Sequence, residues 1–209
     1  MAISLHELIA QGEHQQQDFK YMISSVTKIA RSVSAFANTN GGRLLVGVRD
    51  NGKIAGVKSE EEIYMIDAAA QTRCEPAAQC TMETVQEEGH TVLIATILPS
   101  DERPVRAKDE DGMLRAYVRV DDENIVASPI HLELWRQERN EQGELQPFNE
   151  REQRFMQIIA ETGSEGITLN RFCKKTRLER HRAIRLIARW IRFELIELVL
   201  HEHVWIIVS

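Results

Sequence analysis

The densest chemical pattern in this chain is a run of basic residues between Arg171 and Arg192. It contains nine Lys or Arg residues and a single acid, Glu179. A guanidinium group can bond two phosphate oxygens at once, or the O6 and N7 edge of guanine, so this composition suits contact with nucleic acid. The alternative is a solvated basic face, or one that pairs with acids elsewhere in the chain.

A helix over about 179–192 would position these side chains. Apolar residues recur along it at the spacing of one buried helix face. The buried positions are then Ala183, Leu186, Ile187, Trp190 and Ile191, and the exposed ones are Arg180, His181, Arg182, Arg185 and Arg189. If about five basic residues contact phosphates, binding should weaken with salt at a log–log slope of roughly −4 to −5.

The elements predicted around this helix follow the order of a winged helix-turn-helix domain. A capped helix begins at Asn149, a short helix follows Thr168, and strands over 195–200 and 204–208 come after the basic helix. In that geometry the third helix enters the major groove of DNA. The alternative is a winged domain whose wing and last helix serve dimerisation, and both functions can coexist.

Charge is distributed unevenly along the chain, whose net charge is −6. Residues 1–149 carry 15 Lys/Arg against 24 Asp/Glu, whereas residues 150–209 carry 11 against 8. Such asymmetry indicates that the basic part contacts nucleic acid. No apolar run approaches the roughly 18 residues of a membrane span, and the first residues lack a signal-peptide pattern. Three cysteines do not make a disulfide framework, so we expect a cytoplasmic protein with no membrane partner.

A second informative stretch is Ser34–Val57, SAFANTNGGRLLVGVRDNGKIAGV. Gly41 and Gly42 allow positive φ and close backbone approach, so a helix can turn there directly into an apolar strand. Asp50-Asn-Gly-Lys53 is hairpin-turn chemistry. The predicted elements are a helix over 24–38 and two hairpin strands over 44–48 and 54–57.

The remaining patterns predict the fold class and the domain boundaries. Further strands are expected over 78–86, 90–98, 104–108 and 114–120, and a further helix over 59–72. Together they predict an α+β fold, with a mixed sheet and packed helices followed by the winged helix-turn-helix domain. Residues 131–149 lose apolar periodicity, which predicts a linker. The predicted organisation is a first domain over 1–130, a linker over 131–148 and a second domain over 149–209.

Three ordered blocks in the first domain form a wider pattern. They are GEHQQQDFKYM, SVSAFANTNGGRLLVGVRDNGKIAGV and RPVRAKDEDGMLRAYVRVDDENIVA. These blocks, which span roughly residues 5–130, resemble the Schlafen AlbA-like family, once labelled a divergent AAA domain. The family's pattern of an acid, four residues, a second acid and Phe-Lys matches Glu13, Asp18, Phe19 and Lys20. The resemblance implies nucleic-acid binding, often as the front half of a regulator that ends in a winged helix.

Under this resemblance several residues of the first domain acquire roles. The expected phosphate contacts are Lys20, Arg43, Arg49 and Arg119, and the expected backbone-bonding supports are Asn38 and Asn40. Eukaryotic relatives are RNA endonucleases that use three acids, which by motif match Glu13, Asp18 and Asp50. Three converging carboxylates could hold a divalent cation that activates water.

Each of the three acids also has a structural interpretation. Asp18 is one methylene shorter than the family's usual Glu, which would move a ligand oxygen. Asp50 begins a turn and can bond the backbone two residues on, and Glu13 can pair with Lys20 or Arg43. We therefore expect a DNA-binding transcriptional regulator, with a metal-dependent endoribonuclease as the alternative.

The expected cofactors and partners follow from this interpretation. ATP turnover is not expected, because no G-x-x-x-x-G-K-[ST] occurs and Gly41-Gly42 is followed by Arg-Leu. No cofactor is expected, and a divalent metal belongs only to the nuclease alternative. The expected partner is nucleic acid, DNA rather than RNA, bound by a homodimer because winged regulators match two-fold sites. A third interpretation, a winged domain that only docks protein partners, predicts neither activity.

Overall fold

The computed structural model describes residues 4–59, 61–140 and 148–209 of the chain. It divides into two compact units, Met1–Val126 and Ala127–Ser209, which we call the N-terminal and C-terminal units. Within the described ranges, every helix is too short or too polar to cross a membrane.

The N-terminal unit has the predicted α+β architecture. Its helices are α1 (Leu5–Ala10), α2 (Val26–Asn38) and α3 (Glu61–Thr72). Its strands are β1 (Gln17–Lys20), β2 (Gly42–Val46), β3 (Cys74–Glu75), β4 (Cys80–Glu87), β5 (His90–Ile97), β6 (Arg106–Lys108), β7 (Leu114–Val120) and β8 (Glu123–Val126). One sheet has the order β1-β2-β5-β4, with β1 and β2 parallel and the other pairs antiparallel, and the second has the order β3-β6-β7-β8. The mixed sheet is therefore confirmed.

Apolar side chains cover both faces of the first sheet. Leu44 and Val46 of β2 belong to the core that α2 and α3 complete, while Leu45 packs on the opposite face with residues of α1. The strand β5 lies between β2 and β4 and is buried from Val92 to Ala95. The nearly continuous apolar sequence of β5 is explained by this burial on both faces, as predicted for a central strand.

The glycine pair forms the predicted corner between α2 and β2. The Gly41 amide donates to the Phe36 carbonyl at 3.0 Å, and Gly41 has φ +70°. A Cβ at Gly42 would overlap the Phe36 ring. The corner therefore needs one glycine for its backbone angle and the other for its close packing.

The predicted hairpin after this corner is only partly formed. The turn itself is present, since the Arg49 amide donates to the Lys53 carbonyl and Asn51 Oδ1 accepts from the Lys53 amide at 3.1 Å. The two arms, however, do not form a regular ladder: they share one isolated bridge, Val48–Ile54, and the amides of Ala55 and Gly56 both donate to the Gly47 carbonyl. Both hydrogen-bonding edges of β2 are already taken by β1 and β5, so a second arm cannot pair along it.

The C-terminal unit contains four α-helices, a 3-10 turn over Gly163–Glu165 and three short strands among its described residues. The helices are α4 (Pro129–Arg139), α5 (Glu150–Ala160), α6 (Leu169–Thr176) and α7 (Arg180–Arg192). The strands are β9 (Ile167–Thr168), β10 (Glu197–His201) and β11 (Val204–Val208), in the sheet order β10-β11-β9. The side chains of Asn149 and Thr168 cap α5 and α6, as the sequence predicts. Phe155, Phe172 and Trp190 form the aromatic centre of the core.

Helix α4 occupies much of the range for which the sequence predicts a linker, 131–148, so that prediction is wrong over 131–139. The Ser128 hydroxyl accepts from the His131 amide, His131 Nδ1 accepts from the Ser128 amide, and Pro129 fills the first helical position. Ile130 and Trp135 are buried. A histidine closes this capping box where the usual pattern has Glu or Gln, so the start signal is hard to recognise. The remainder of the predicted linker, 141–147, lies outside the described residues.

Candidate nucleic-acid interface

Helix α7 buries one side and presents basic side chains on the other. Ala183, Ile187 and Trp190 have no exposed surface. The exposed positions of its first two turns are Arg180, His181, Arg182 and Arg185, all four in the set predicted for contact. The sequence places these side chains on the solvent side because apolar residues recur every three or four positions between them.

The predicted contact residues of α7 differ in how closely they pair with acidic side chains of the protein itself. Glu179 Oε2 lies 3.3 Å from Arg182 Nε and 3.6 Å from His181 Nε2, both pairs exposed to solvent. Arg189 Nη2 donates to Glu152 Oε1 of α5 at 2.6 Å, and its side chain is 38% exposed. Surface pairs such as those with Glu179 are weak, so a phosphate can readily replace the carboxylate. The pair of Arg189 with Glu152, in contrast, also links α7 to α5.

A cleft of about 410 Å³ runs between α4 and α7 and gathers arginines from both. Its basic lining residues are Arg136, Arg182, Arg185, Arg189 and Arg192. Gln137 joins the two helices through two hydrogen bonds. Its side-chain Nε2 donates to the backbone carbonyl of Arg185, and its own backbone carbonyl accepts from the Arg192 guanidinium. Sequence reasoning missed Arg136 and Arg192. The signal for Arg136 was hidden in the unrecognised helix α4, and Arg192 follows Arg185 and Arg189 at helical spacing.

One acid, Glu133, offsets part of the positive charge of this cleft. Glu133 accepts two hydrogen bonds from Arg136, at 2.6 and 2.7 Å, and one from Gln137. The hydrogen bonds from Arg136 lower the pKa of Glu133, so the carboxylate stays charged. The cleft therefore has a net excess of positive charge and one fixed negative point.

The predicted basic residues of the N-terminal unit lie at different places on the first sheet. Lys20 ends β1, and its Nζ pairs with Asp18 Oδ2 at 2.6 Å. Arg43 is half-buried on β2, opposite Gln17, at the other end of the β1–β2 pair. Arg49 is exposed beyond β2 and stacks over the Tyr21 ring, 4.2 Å from its centroid. Lys20 and Arg49 thus lie at one end of the pair, and Arg43 at the other.

Arg119 cannot take the predicted phosphate contact, because it is buried and 3% exposed. Its guanidinium donates to the Gln17 carbonyl at 3.2 Å and to Asn124 Oδ1 at 3.1 Å, and lies 3.5 Å from Asp18 Oδ1. It also lies over the Phe36 ring. The guanidinium of Arg119 therefore joins β7 to β1 and β8, a structural role that the sequence did not predict.

The two amides predicted as supports behave differently. Asn38 is buried, and its Nδ2 donates to the carbonyls of Val105 and Tyr117 at 2.8 and 2.9 Å. Its Oδ1 accepts from the Val105 amide, so it bonds the backbone as expected. Asn40 is exposed, and its carbonyl accepts from Gln16 Nε2.

The structure brings two of the three predicted acids together. Burial raises the pKa of Glu13, and a hydrogen bond with the neighbouring Asp18 carboxyl adds to this effect. Glu13 Oε1 also accepts from the Phe19 amide at 2.9 Å. Asp18 is 3% exposed and is paired with Lys20 and Arg119.

Asp50 is not part of that pair. It lies exposed in the turn after β2, and Asn51 rather than Asp50 makes the side-chain bond to the backbone two residues on. Across residues 4–59, 61–140 and 148–209, no three His, Cys, Asp or Glu side chains are grouped so that they could hold a metal ion. The acids therefore do not fit a three-carboxylate cation site.

Comparisons with known proteins bear on the N-terminal unit. No curated protein matches this chain significantly. Among solved structures, the DIP2311 protein of Corynebacterium diphtheriae is 24% identical, with a TM-score of 0.44, and the match covers 62% of this chain but 28% of that one. The N-terminal domain of a protein from Nitrosomonas europaea, described as related to the ATP-dependent DNA helicase RecG, is 19% identical with a TM-score of 0.43. That match covers 72% of this chain and 97% of that domain.

The family assignment rests on a match over more than half of the chain. The family model named Schlafen, AlbA_2 matches residues 13–128, from the first predicted acid to the residues just after β8. That range includes the glycine corner, the buried amide of Asn38 and the guanidinium fork of Arg119. The chain belongs to the Schlafen AlbA_2 family.

Proposed function

We propose that this protein is a DNA-binding transcriptional regulator whose C-terminal unit is a winged helix and whose α7 is the recognition helix. The observation that carries the proposal is the two-sided character of α7, with an apolar side that is buried at Ala183, Ile187 and Trp190 and a basic side that is exposed. Arg182, Arg185 and Arg189 follow each other at spacings of three and four, so they form one row along the helix. Such a row can follow phosphates or base edges in a groove.

The order of elements in the C-terminal unit supports the same proposal. Helices α6 and α7 are separated by three residues, 177–179, of which Arg177 has a left-handed backbone with φ +56°. The antiparallel pair β10–β11 follows α7, and its exposed tip is formed by His201, Glu202 and His203. A tight turn between two helices, then a hairpin, is the arrangement in which a wing contacts the backbone beside the recognition helix.

Membership of the Schlafen AlbA_2 family supports nucleic acid as the partner of the whole chain. We propose duplex DNA rather than RNA because α7 suits the major groove of B-form DNA, whereas the major groove of an RNA helix is too narrow and deep for side chains to read. Dimerisation remains part of the proposal, because a two-fold regulator would match palindromic sites. Analytical ultracentrifugation with and without DNA measures it directly.

The decisive experiment is a fluorescence-anisotropy titration of labelled duplex DNA at several salt concentrations. We expect a log–log salt slope of roughly −4 to −5 for the native protein. Replacing Arg182 and Arg185 by alanine should reduce the magnitude of this slope by about two. Arg154→Ala is the matched control, because it removes an arginine from α5 that is 77% exposed and pairs only loosely with Glu150.

Two outcomes would count against this function. Unchanged affinity in the Arg182→Ala/Arg185→Ala protein would remove α7 from the interface. Cleavage of tRNA in Mn²⁺ that is lost in Asp18→Asn would instead favour the endoribonuclease alternative, despite the missing third carboxylate.

A further inference from the structure

Three side chains from separate segments of the N-terminal unit meet around the ring of Tyr21. The Arg49 guanidinium carbon lies 4.2 Å from the ring centroid, and Lys58 Nζ lies 5.7 Å from it. Arg49 and Lys58 are exposed, and Tyr21 is half-buried. We call these three residues the Tyr21 cluster. The sequence had singled out Arg49 alone among them.

One backbone node explains why the three segments converge. The Gly47 amide donates to the Lys20 carbonyl at 2.8 Å, and the Gly47 carbonyl accepts from the amides of Ala55 and Gly56. Tyr21 follows the first partner by one residue, Arg49 follows Gly47 by two, and Lys58 follows Gly56 by two. The node therefore fixes where all three side chains leave the backbone.

The backbones at this node cross too closely for any other residue. Gly47 has φ +94°, and a Cβ placed on it would lie 2.7 Å from the carbonyl carbon of Gly56. The positions of Arg49 and Lys58 are thus built into the fold. A cluster assembled by chance from mobile surface side chains would lack such a support.

The Tyr21 cluster carries two positive charges and no negative charge. Two cations share one ring, and in the part of the chain that the structure describes neither Arg49 nor Lys58 forms an ion pair with a carboxylate. Both cations lie near the same ring, at 4.2 and 5.7 Å from its centroid, so an anion bound at the cluster would be attracted by both charges. A nucleotide offers such an anion in its phosphate. Its base could stack on the aromatic ring and the guanidinium group of the same cluster.

We propose that the Tyr21 cluster binds one unpaired nucleotide of a single-stranded nucleic acid. The base stacks on the Arg49–Tyr21 pair, and Lys58 contacts the adjoining phosphate. Stacking on aromatic rings and guanidinium planes requires an exposed base face, which a continuous duplex does not offer. The inference rests on the proposed nucleic-acid function. It adds single-stranded nucleic acid, bound by the N-terminal unit, to the duplex DNA proposed for the C-terminal unit.

The test uses the full chain and oligonucleotides that carry 2-aminopurine, whose fluorescence falls when the base stacks. Four probes are compared: a blunt duplex, the same duplex with a single-stranded tail, single-stranded DNA and single-stranded RNA. We expect quenching with the tailed and single-stranded probes, and the DNA and RNA arms show whether the sugar matters. Tyr21→Leu should weaken single-strand binding about tenfold, since one base stack is worth that order of affinity.

Arg49→Lys keeps the charge but removes the planar group, and it changes an exposed residue. It should also weaken binding of the single strands more than binding of the blunt duplex, because a phosphate contact needs only the charge that lysine keeps, whereas stacking needs the planar group. Lys53→Ala is the matched control, because Lys53 is an exposed cation of the same turn that does not contact the ring. Circular dichroism of each variant verifies its folding.

The outcomes separate this inference from the proposed function. If the native protein binds duplex through Arg182 and Arg185 but Arg49→Lys and Tyr21→Leu bind single strands as the native protein does, the Tyr21 cluster is not a nucleotide site and the regulator proposal stands. If the native protein binds none of the four probes, both fail. If Lys53→Ala weakens single-strand binding as much as Arg49→Lys, general charge rather than stacking is responsible and the inference is overturned.

Discussion

The side-chain amide of Asn38 pairs in both directions with the backbone of Val105. Asn38 Oδ1 accepts from the Val105 amide at 2.7 Å, and Asn38 Nδ2 donates to the Val105 carbonyl at 2.8 Å. Both residues are buried. The last residue of α2 thus substitutes for a neighbouring strand at the segment that leads into β6.

Replacing Asn38 by alanine should therefore destabilise the N-terminal unit strongly. The change removes the acceptor of the buried Val105 amide, which costs about 1–3 kcal/mol for the unsatisfied group. It also removes one donor each from the carbonyls of Tyr117 and Val105, the second of which keeps its hydrogen bond from the Ser34 hydroxyl. Urea unfolding followed by far-UV circular dichroism measures the loss. Asn40→Ala is the control, because Asn40 is exposed and its hydrogen bond with Gln16 is made by the backbone carbonyl, which alanine keeps. Equal stability of the two variants would show that the pair with Val105 contributes little.

Gly47→Ala should destabilise the N-terminal unit by about 1–3 kcal/mol more than Gly112→Ala, which is the usual cost of overpacking. Both glycines have positive φ, +94° and +80°, so an alanine is strained at either position by about 1–2 kcal/mol. Only at Gly47 would the added Cβ also meet a backbone, that of Gly56, whereas Gly112 has open space. The difference between the two urea midpoints isolates the close crossing, and identical midpoints would contradict it.

Arg119→Met should lower stability and leave the salt dependence of DNA binding unchanged. Removing the guanidinium leaves Asp18 and the Gln17 carbonyl with fewer partners in the interior, and breaking a buried pair costs roughly 3–5 kcal/mol. Arg43→Ala serves as the comparison, because its half-buried side chain makes no hydrogen bond or ion pair within the described residues. A stable Arg119→Met protein with a salt slope reduced by about one would instead restore Arg119 as a phosphate contact.

The C-terminal unit should lose stability in mild acid because of His131. Burial lowers the pKa of His131 from 6.5 to about 4. Between these values the unfolded chain binds the proton and the folded protein does not, so stability rises with pH through this window. As the pH falls from 6.5 toward 4, up to roughly 3 kcal/mol is lost.

Tryptophan fluorescence follows this loss selectively, because Trp135, Trp190 and Trp205 are the only three tryptophans and all lie in the C-terminal unit. In His131→Gln the amide can still close the capping box with Ser128 but does not titrate. Its urea midpoint should change far less between pH 6.5 and 4.5 than that of the native protein. Parallel pH profiles of the two proteins would exclude His131 as the cause.

The sequence by itself determined most of the elements and the exposed face of α7. Period-2 and period-3.6 patterns with strong end signals, such as the caps at Asn149 and Thr168, depend on local geometry, and local geometry is encoded within a few residues. The glycine corner at Gly41-Gly42 was predictable for the same reason. Helix α4 was not, because its start uses His131 in place of the usual acid or amide.

Tertiary structure alone decided what the charged and polar side chains do. Arg119 and Arg49 look alike in the sequence, yet one is enclosed between strands and the other lies open over Tyr21. Asp50 is not grouped with Glu13 and Asp18, because it lies in the exposed turn after β2, whereas Asp18 is buried within β1. An ionisable group's role depends on its solvation and on partners distant in the chain, such as the pairing of Arg119 with Asp18, and no local pattern records those distances.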